Sequence, residues 1–383
     1  MNILYVSTLI PQSLLDEVLK VNPTGYVVAP QKFHRNLVNG FMANGHKVKV
    51  LSYLPVEIAY CQTSLEEGVE YYFCKYKTKP GIKHIQIAKS VFNKIKNLIK
   101  EGMKPDFIIC DILNVSLCLG ALLASKRFRI KIAAIVTDFL GISKYEEKGI
   151  IPRLASSFIN QYISRFDAYV ILTQQMNQVV NPYNKPYIVM EGLCDKSTVT
   201  SKHQGNSKTI FYAGGRPVKD GVDLLINAFK RIDDPSLRLN IYGPIPDVAV
   251  GPDVGDARIT YFGTVDNKTI VAEECNSYLL INPRPIGEEY TKYSFPSKVM
   301  EYMATGVPMV TTKLAGIPEE YYDYVYTFER CNADSYYETL LDLLSKPAEE
   351  LKQKGLQAQR FVLTTKNNVA QTKRIINLIC ELK

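Results

Sequence analysis

The sequence predicts two α/β domains in succession, each a doubly wound parallel sheet covered by helices on both faces. Three observations lead there. The chain has 383 residues, and at about 100–200 residues per domain that length favours two domains. Short β-branched runs alternate with helical runs along the chain, and near-continuous apolar strands separated by helices imply parallel sheets buried on both faces. Between the halves, Lys196–Ser207 (KSTVTSKHQGNS) is polar, rich in Ser, Thr and Lys and aperiodic, which reads as a linker.

In the first half the strand candidates are Asn2–Ser7, Lys47–Ser52, Phe107–Cys110, Lys131–Val136, Ala168–Leu172 and Tyr187–Met190. In the second they are Thr209–Ala213, Leu237–Tyr242, Ile259–Phe262, Tyr278–Ile281, Pro308–Thr312 and Val325–Phe328. The helices between them have readable faces. Phe33, Leu37 and Phe41 recur at a spacing of four, and their run stops at Asn44-Gly45. Val222, Leu225, Ile226, Phe229 and Ile232 form an apolar stripe.

Composition removes several function classes. An apolar share of 46% is that of a globular protein. The formal charge of +8 favours an anionic ligand or surface without naming one. The cysteines (61, 74, 110, 118, 194, 275, 331, 380) never stand at Cys-x-x-Cys spacing and read as reduced thiols of a cytosolic protein. His34, His46, His84 and His203 never pair at zinc-ligand spacing. MNILYVSTLI reads as a first strand and not as a signal peptide. The longest apolar run, Val115–Ala124, is short of the roughly 18–20 residues that span a bilayer.

Five segments carry candidate chemistry. In Ile210–Ile232 a strand ends at Ala213, Gly214-Gly215 makes a tight turn, and a helix starts near Gly221. The free N–H groups of that first helical turn suit a phosphate. Arg216 and Lys219 add two full charges, as a nucleoside diphosphate requires where no metal balances it. The same residues suit an ordinary strand–turn–helix with solvated cations, and the spacing is neither a P-loop nor a dinucleotide fingerprint.

Ile281–Thr312 (INPRPIGEEYTKYSFPSKVMEYMATGVPMVTT) is the most specific segment. Ser294 is the expected N-cap of a helix whose apolar face is Val299, Met300 and Met303, and Gly306 and Pro308 stop it. Lys298 and Glu301 share one face, where a carboxylate can accept two hydrogen bonds from a ribose diol. A surface salt bridge is the plainer account of the pair. In Ala133–Gly141, Asp138 follows an apolar strand at the end where sites gather, so it can position an acceptor hydroxyl, or it can cap a turn. The long loop after the first strand carries Gly25, which permits close backbone approach to a ligand. Tyr71–His84 and the lysine-bearing helix after it read first as a half-wet strand and a solvated helix, second as a membrane-surface contact, and last as a nucleic-acid groove.

Taken together, these segments resemble the family 4 retaining glycosyltransferases over most of the chain. TKYSFPSKVMEYMATGVP (Thr291–Pro308) is similar to a version found in bacterial enzymes that build capsule, exopolysaccharide or O-antigen. The resemblance implies the GT-B fold, two Rossmann-like domains facing a central cleft. It implies an acceptor-binding domain over 1–195, a nucleotide-sugar domain over 196–364, and a C-terminal helix over 365–383 crossing back to the first. It further implies a hexosyltransferase that moves a sugar from a UDP- or GDP-sugar to a glycan or lipid-linked glycan with retention. No cofactor or metal is expected, no nucleic-acid partner, and a cytoplasmic location that allows peripheral contact with the inner face of the membrane.

Residue by residue, Glu301 matches the second glutamate of the family's Glu–seven–Glu motif and would bind the ribose. Arg216 and Lys219 match the pair that neutralises the diphosphate, beside Gly214 and Gly215. Gly25 matches the glycine-bearing N-terminal loop. Tyr293, Ser294, Phe295 and Lys298 fall within the nucleotide-sugar signature. The motif's first glutamate falls on Tyr293, so Glu288 or Glu289 would supply the carboxylate facing the sugar. A histidine common at the end of the fourth strand falls near Thr137–Asp138, so Asp138 would take its place. The catalytic set is thus Arg216, Lys219, Asp138 and Glu289. Two other readings fit: a two-Rossmann nucleotide-sugar epimerase, and a non-catalytic sugar-nucleotide-binding partner of another transferase.

Overall fold

The computed structural model describes residues 1–21, 28–54, 63–76, 82–138, 161–195, 208–215, 219–244 and 255–382. They form two compact units, one of Met1–Leu193 with Asn368–Lys383, the other of Cys194–Asn367. The linker segment Lys196–Ser207 lies outside the described residues.

The first unit contains, in chain order, β1 (Asn2–Val6), α1 (Gln12–Val21), α2 (Val28–Ala43), β2 (Lys47–Ser52), β3 (Thr63–Glu66) and β4 (Val69–Phe73). It continues with α3 (Ile82–Lys100), β5 (Phe107–Asp111), α4 (Val115–Phe128), β6 (Lys131–Val136), β7 (Ala168–Ile171), α5 (Gln174–Val180) and β8 (Tyr187–Val189). The sheet order is β3-β4-β2-β1-β5-β6-β7-β8. Every pairing is parallel except the edge hairpin β3–β4. β1 is central, with Ile3 opposite both Val48 and Phe107. Its side chains alternate into helices on both faces, so Ile3, Leu4, Tyr5 and Val6 are all buried.

The second unit contains β9 (Thr209–Ala213), α6 (Val222–Lys230), β10 (Arg238–Tyr242), β11 (Ile259–Gly263), α7 (Asn267–Asn276) and β12 (Leu279–Asn282). After these come α8 (Ser297–Thr305), β13 (Met309–Thr312), β14 (Tyr326–Phe328), α9 (Ala333–Ser345) and α10 (Ala348–Thr365). Its six strands, in the order β11-β10-β9-β12-β13-β14, are all parallel. The stripe Val222, Leu225, Ile226, Phe229 and Ile232 is buried on one face of this sheet, and Val299, Met300, Tyr302 and Met303 on the other.

The chain ends in α11 (Asn368–Glu381), which belongs to the first unit. It lies on α2 so closely that a side chain at Gly40 would run into the Asn368 carbonyl. Asn44 Nδ2 donates to the Gly40 and Val369 carbonyls, both at 2.9 Å.

The strand boundaries follow the sequence reading to within a residue or so. The β3–β4 hairpin is the main departure, because four residues of alternating exposure on a sheet edge leave little apolar signal. Seven cysteines are free among the described residues, with Cys74, Cys110, Cys118 and Cys275 buried.

α3 and α4 pack side by side on one face, with Gly120 against the Ala88 carbonyl and Val91. Gly120→Val is therefore expected to destabilise the protein by about 1–3 kcal/mol through overpacking. A urea or thermal melt checks this, and an unchanged midpoint would contradict the close packing.

Candidate active site

The site is built from the sheet order of the second unit. From β9 the chain winds one way to β10 and β11, then returns to the other side of β9 and winds through β12, β13 and β14. Connections diverge at the junction of β9 and β12, and a crevice opens outside their carboxyl ends, the usual ligand site of doubly wound sheets.

Two loops meet there. After β9 comes Gly214-Gly215, and α6 begins behind Gly221, which adopts φ +77° as its cap. No side chain fits at Gly214, because a Cβ would collide with the Tyr212 phenol. After β12 the segment Pro283–Arg284–Pro285 crosses over the start of α6. A Cβ at Gly221 would lie 2.5 Å from the Pro283 carbonyl. That segment is pinned from behind. Tyr336 Oη donates to the Pro283 carbonyl at 2.8 Å, and Thr312 Oγ1 donates to the Arg284 carbonyl at 2.5 Å.

A buried polar cluster joins the loops. Asp220 is 6% exposed. Its Oδ2 accepts from Tyr212 Oη at 2.9 Å, and its Oδ1 lies 3.4 Å from Arg284 Nε. The Arg284 guanidinium also sits 5.9 Å from the Tyr290 ring. Beneath the turn, Tyr302 of α8 is fully buried. Its hydroxyl accepts from the Ala213 N–H at 3.0 Å and so fixes the end of β9. Burial pushes the Tyr302 phenol well above its ordinary value, which keeps it protonated.

The predicted residues fall as follows. Gly214 is half-buried, while Gly215 and Lys219 are exposed in the turn. Arg216 and Gly25 lie outside the described residues. Lys298 Nζ and Glu301 Oε2 are 3.6 Å apart on α8, both partly exposed. Pairs of this kind contribute about 0–1 kcal/mol, so stability alone gives little reason for it. Glu288 and Glu289 are exposed, with Glu289 opening a one-turn 3₁₀ helix, Glu289–Lys292. Tyr293 and Ser294 are half-buried and Phe295 is buried. Asp138 is exposed just past β6, in the first unit.

One local expectation is corrected. Ser294 does not cap α8; Pro296 occupies the cap position and Ser297 opens the helix. The residue before a proline is held extended, so Phe295 keeps Ser294 out of the helical turn. The Ser294 carbonyl instead faces Gly316, where a Cβ would come within 2.5 Å of it.

Sequence reasoning missed two constellations. One is the Asp220–Arg284 pair: the motifs drew attention to Arg216 and Lys219 around Asp220 but not to the acid itself. The other lies in the first unit, at its own junction of β1 and β5. There Tyr5 Oη is 2.6 Å from His34 Nδ1, and His34 Nε2 is 3.2 Å from Asp111 Oδ2, with all three residues buried. Asn114 Nδ2 also donates to Asp111 Oδ2, at 2.6 Å. One arrangement satisfies each group: Nε2–H donates to the carboxylate and Tyr5 O–H donates to Nδ1. Burial first, then the Asp111 charge, raises the Tyr5 phenol well above its usual value. No spacing in the sequence links residues 5, 34 and 111; only the sheet order does.

Residues 207–346 match the family described as glycosyl transferases group 1. No curated protein matches the chain in sequence. Among solved structures, the chain is similar to sucrose-phosphate synthase from Thermosynechococcus elongatus (13% identity, TM-score 0.64, covering 100% of this chain and 99% of that one). It is similar to the catalytic domain of starch synthase IV from Arabidopsis thaliana bound to ADP and acarbose (12%, 0.63, 100% and 99%). It is also similar to Anabaena HepE in complex with UDP-glucose (11%, 0.59, 100% and 100%). The likeness over the whole chain establishes the fold as GT-B, and the family match falls on the unit that holds the crevice between β9 and β12.

Proposed function

We propose that the protein is a retaining, metal-independent glycosyltransferase that moves a sugar from a nucleoside-diphospho-sugar to a hydroxyl acceptor in cell-surface polysaccharide synthesis. The observation that carries this reading is the coincidence of the group 1 match with the crevice where the glycine turn, α6 and α8 meet. The diphosphate lies at the Gly214-Gly215 turn, against the first N–H groups of α6 and the cations Arg216 and Lys219. The Glu301 carboxylate accepts from the ribose hydroxyls, with Lys298 beside it. As the anomeric carbon–oxygen bond breaks, charge develops on the leaving phosphate, and these groups offset it without a metal.

Glu289 supplies the acid near the sugar that Tyr293 cannot. Asp138 supplies the carboxylate for the acceptor hydroxyl. Retention and the polysaccharide role rest on the resemblance of Thr291–Pro308 to family 4 enzymes of capsule, exopolysaccharide and O-antigen assembly. UDP-glucose and ADP in the similar structures support trying UDP and ADP, and the family resemblance adds GDP.

The acceptor reading includes contact with a lipid surface. The first unit carries 26 Lys and Arg against 15 Asp and Glu, a formal +11, while residues 194–367 carry 20 against 23, a formal −3. Within it, α3 and α4 hold Lys83, Lys89, Lys94, Lys96, Lys100, Lys126 and Arg127 and no acid. Ile82 and Ile85 on the outer stripe of α3 are 47% and 70% exposed. Apolar side chains flanked by lysines suit the headgroup region of an anionic bilayer. Among the described residues no helix is long and apolar enough to cross a membrane.

Two experiments test these readings. A melting screen against UDP, GDP, ADP and their sugars is expected to show one nucleotide stabilising the chain. Glu301→Ala should then weaken that nucleotide about 10–100-fold, the loss of hydrogen bonds to a charged acceptor. Transfer should persist in EDTA, and donor incubated alone should be hydrolysed slowly at most; rapid conversion of the donor sugar would favour an epimerase. Separately, the protein should sediment with phosphatidylglycerol vesicles and not with phosphatidylcholine vesicles. Lys89→Glu, Lys96→Glu and Lys100→Glu combined should abolish this, and equal sedimentation of the triple variant would refute the α3 face.

A further inference from the structure

We propose that Arg284 is a largely buried cation that meets the diphosphate of the donor, and that Asp220 is the residue that positions it. The inference rests on the donor-binding reading above and adds a cation from the loop after β12 to the Arg216 and Lys219 of that reading.

Position comes first. Arg284 follows β12, and Gly214-Gly215 follows β9, so the two flank the junction at which the winding of the sheet reverses. The segment of Arg284 lies over the α6 cap, with the Pro285 ring 3.4 Å from where a Gly221 Cβ would be. Its backbone is held by hydroxyls from β13 and α9. The side chain therefore issues from a fixed point.

Chemistry comes second. The Arg284 side chain is 12% exposed and that of Asp220 is 9% exposed. At 3.4 Å their facing atoms are an ion pair but not a hydrogen bond, and among the described residues neither the buried Arg284 Nε nor the buried Asp220 Oδ1 has a hydrogen-bond partner. Buried polar atoms in that state are uncommon. The other Asp220 oxygen is engaged elsewhere, accepting from Tyr212 Oη at 2.9 Å. Among the described residues the guanidinium makes no hydrogen bond, and its neighbours are a carboxylate and the Tyr290 ring. It is a planar fork beside Asp220 whose donors make no hydrogen bond among the described residues.

A guanidinium presents paired donors that match two phosphate oxygens, and it stays protonated throughout. Lys219, by contrast, is exposed, so water screens its charge. When the sugar leaves, the bonding pair of the anomeric C–O bond passes to the phosphate oxygen. A desolvated Arg284 opposes that new charge more strongly than an exposed ammonium can. Asp220 keeps the guanidinium from turning away, and the Tyr212 hydrogen bond keeps Asp220 in place.

The test uses the full chain and three ladders of probes: UMP and UDP, GMP and GDP, AMP and ADP, measured by calorimetry. Wild type should prefer one diphosphate over its monophosphate. In Arg284→Ala that diphosphate should weaken about 10–100-fold while the monophosphate changes little, the signature of one lost charged contact. Arg284→Lys should recover part of the loss, and added guanidinium should raise the turnover of Arg284→Ala. Asp220→Asn should lower kcat more than it raises KM and should narrow the diphosphate preference, with circular dichroism showing an intact fold. Should Arg284→Ala fail to fold, Arg284→Gln carries the same comparison. Unchanged diphosphate preference in every folded Arg284 variant overturns the inference and leaves the donor reading standing. No preference for any diphosphate in wild type overturns both.

Discussion

Strand order constrains everything else in the second unit. Because β9 sits between β10 and β12, the chain winds in opposite directions from this junction, and the loops after β9 and β12 meet there as the two walls of the candidate ligand site. One wall is made of glycine and a helix N-terminus, the other of Pro283–Arg284–Pro285. Tyr302 reaches from α8 to the last amide of β9, and Tyr336 reaches from α9 to the loop after β12. Both ties are made by hydroxyls buried in the body of the unit. Each buried backbone group left without such a partner would cost about 1–3 kcal/mol, so packing and site geometry are one problem here.

The first unit repeats the arrangement with different chemistry. Its winding reverses between β1 and β5, and the side chains that converge there are Tyr5, His34 and Asp111, arranged as a relay of hydrogen bonds. The second unit places an acid and a guanidinium at the equivalent point. Both clusters are buried and both contain a carboxylate held by more than one partner.

Much of the fold was legible because each parallel strand is a short unbroken apolar run. Ile281 and Val310 are buried on one face of the sheet and their neighbours Leu280 and Met309 on the other, so these segments carry no alternation to misread. The stripe on α6 was equally plain. The β3–β4 hairpin was not, since in β3 Thr63 and the apolar Leu65 are the residues that face water at the sheet edge, and the segment looks like loop. The site was half legible. The Lys298–Glu301 ion pair of the candidate site was readable from its spacing on one helix. Asp220 with Arg284 did not, being 64 residues apart and joined only by the adjacency of β9 and β12. Ser294 misled because its residue type suits a cap, while the following Phe295-Pro296 forbids one.

The most direct measurement is a crystal structure with the stabilising nucleoside diphosphate bound. The account predicts the two phosphates beside Gly214-Gly215, with the Arg284 fork within hydrogen-bonding distance of the oxygens and the ribose hydroxyls on Glu301. A diphosphate bound elsewhere, or one bound at the turn while Arg284 still faces only Asp220 and Tyr290, would contradict it.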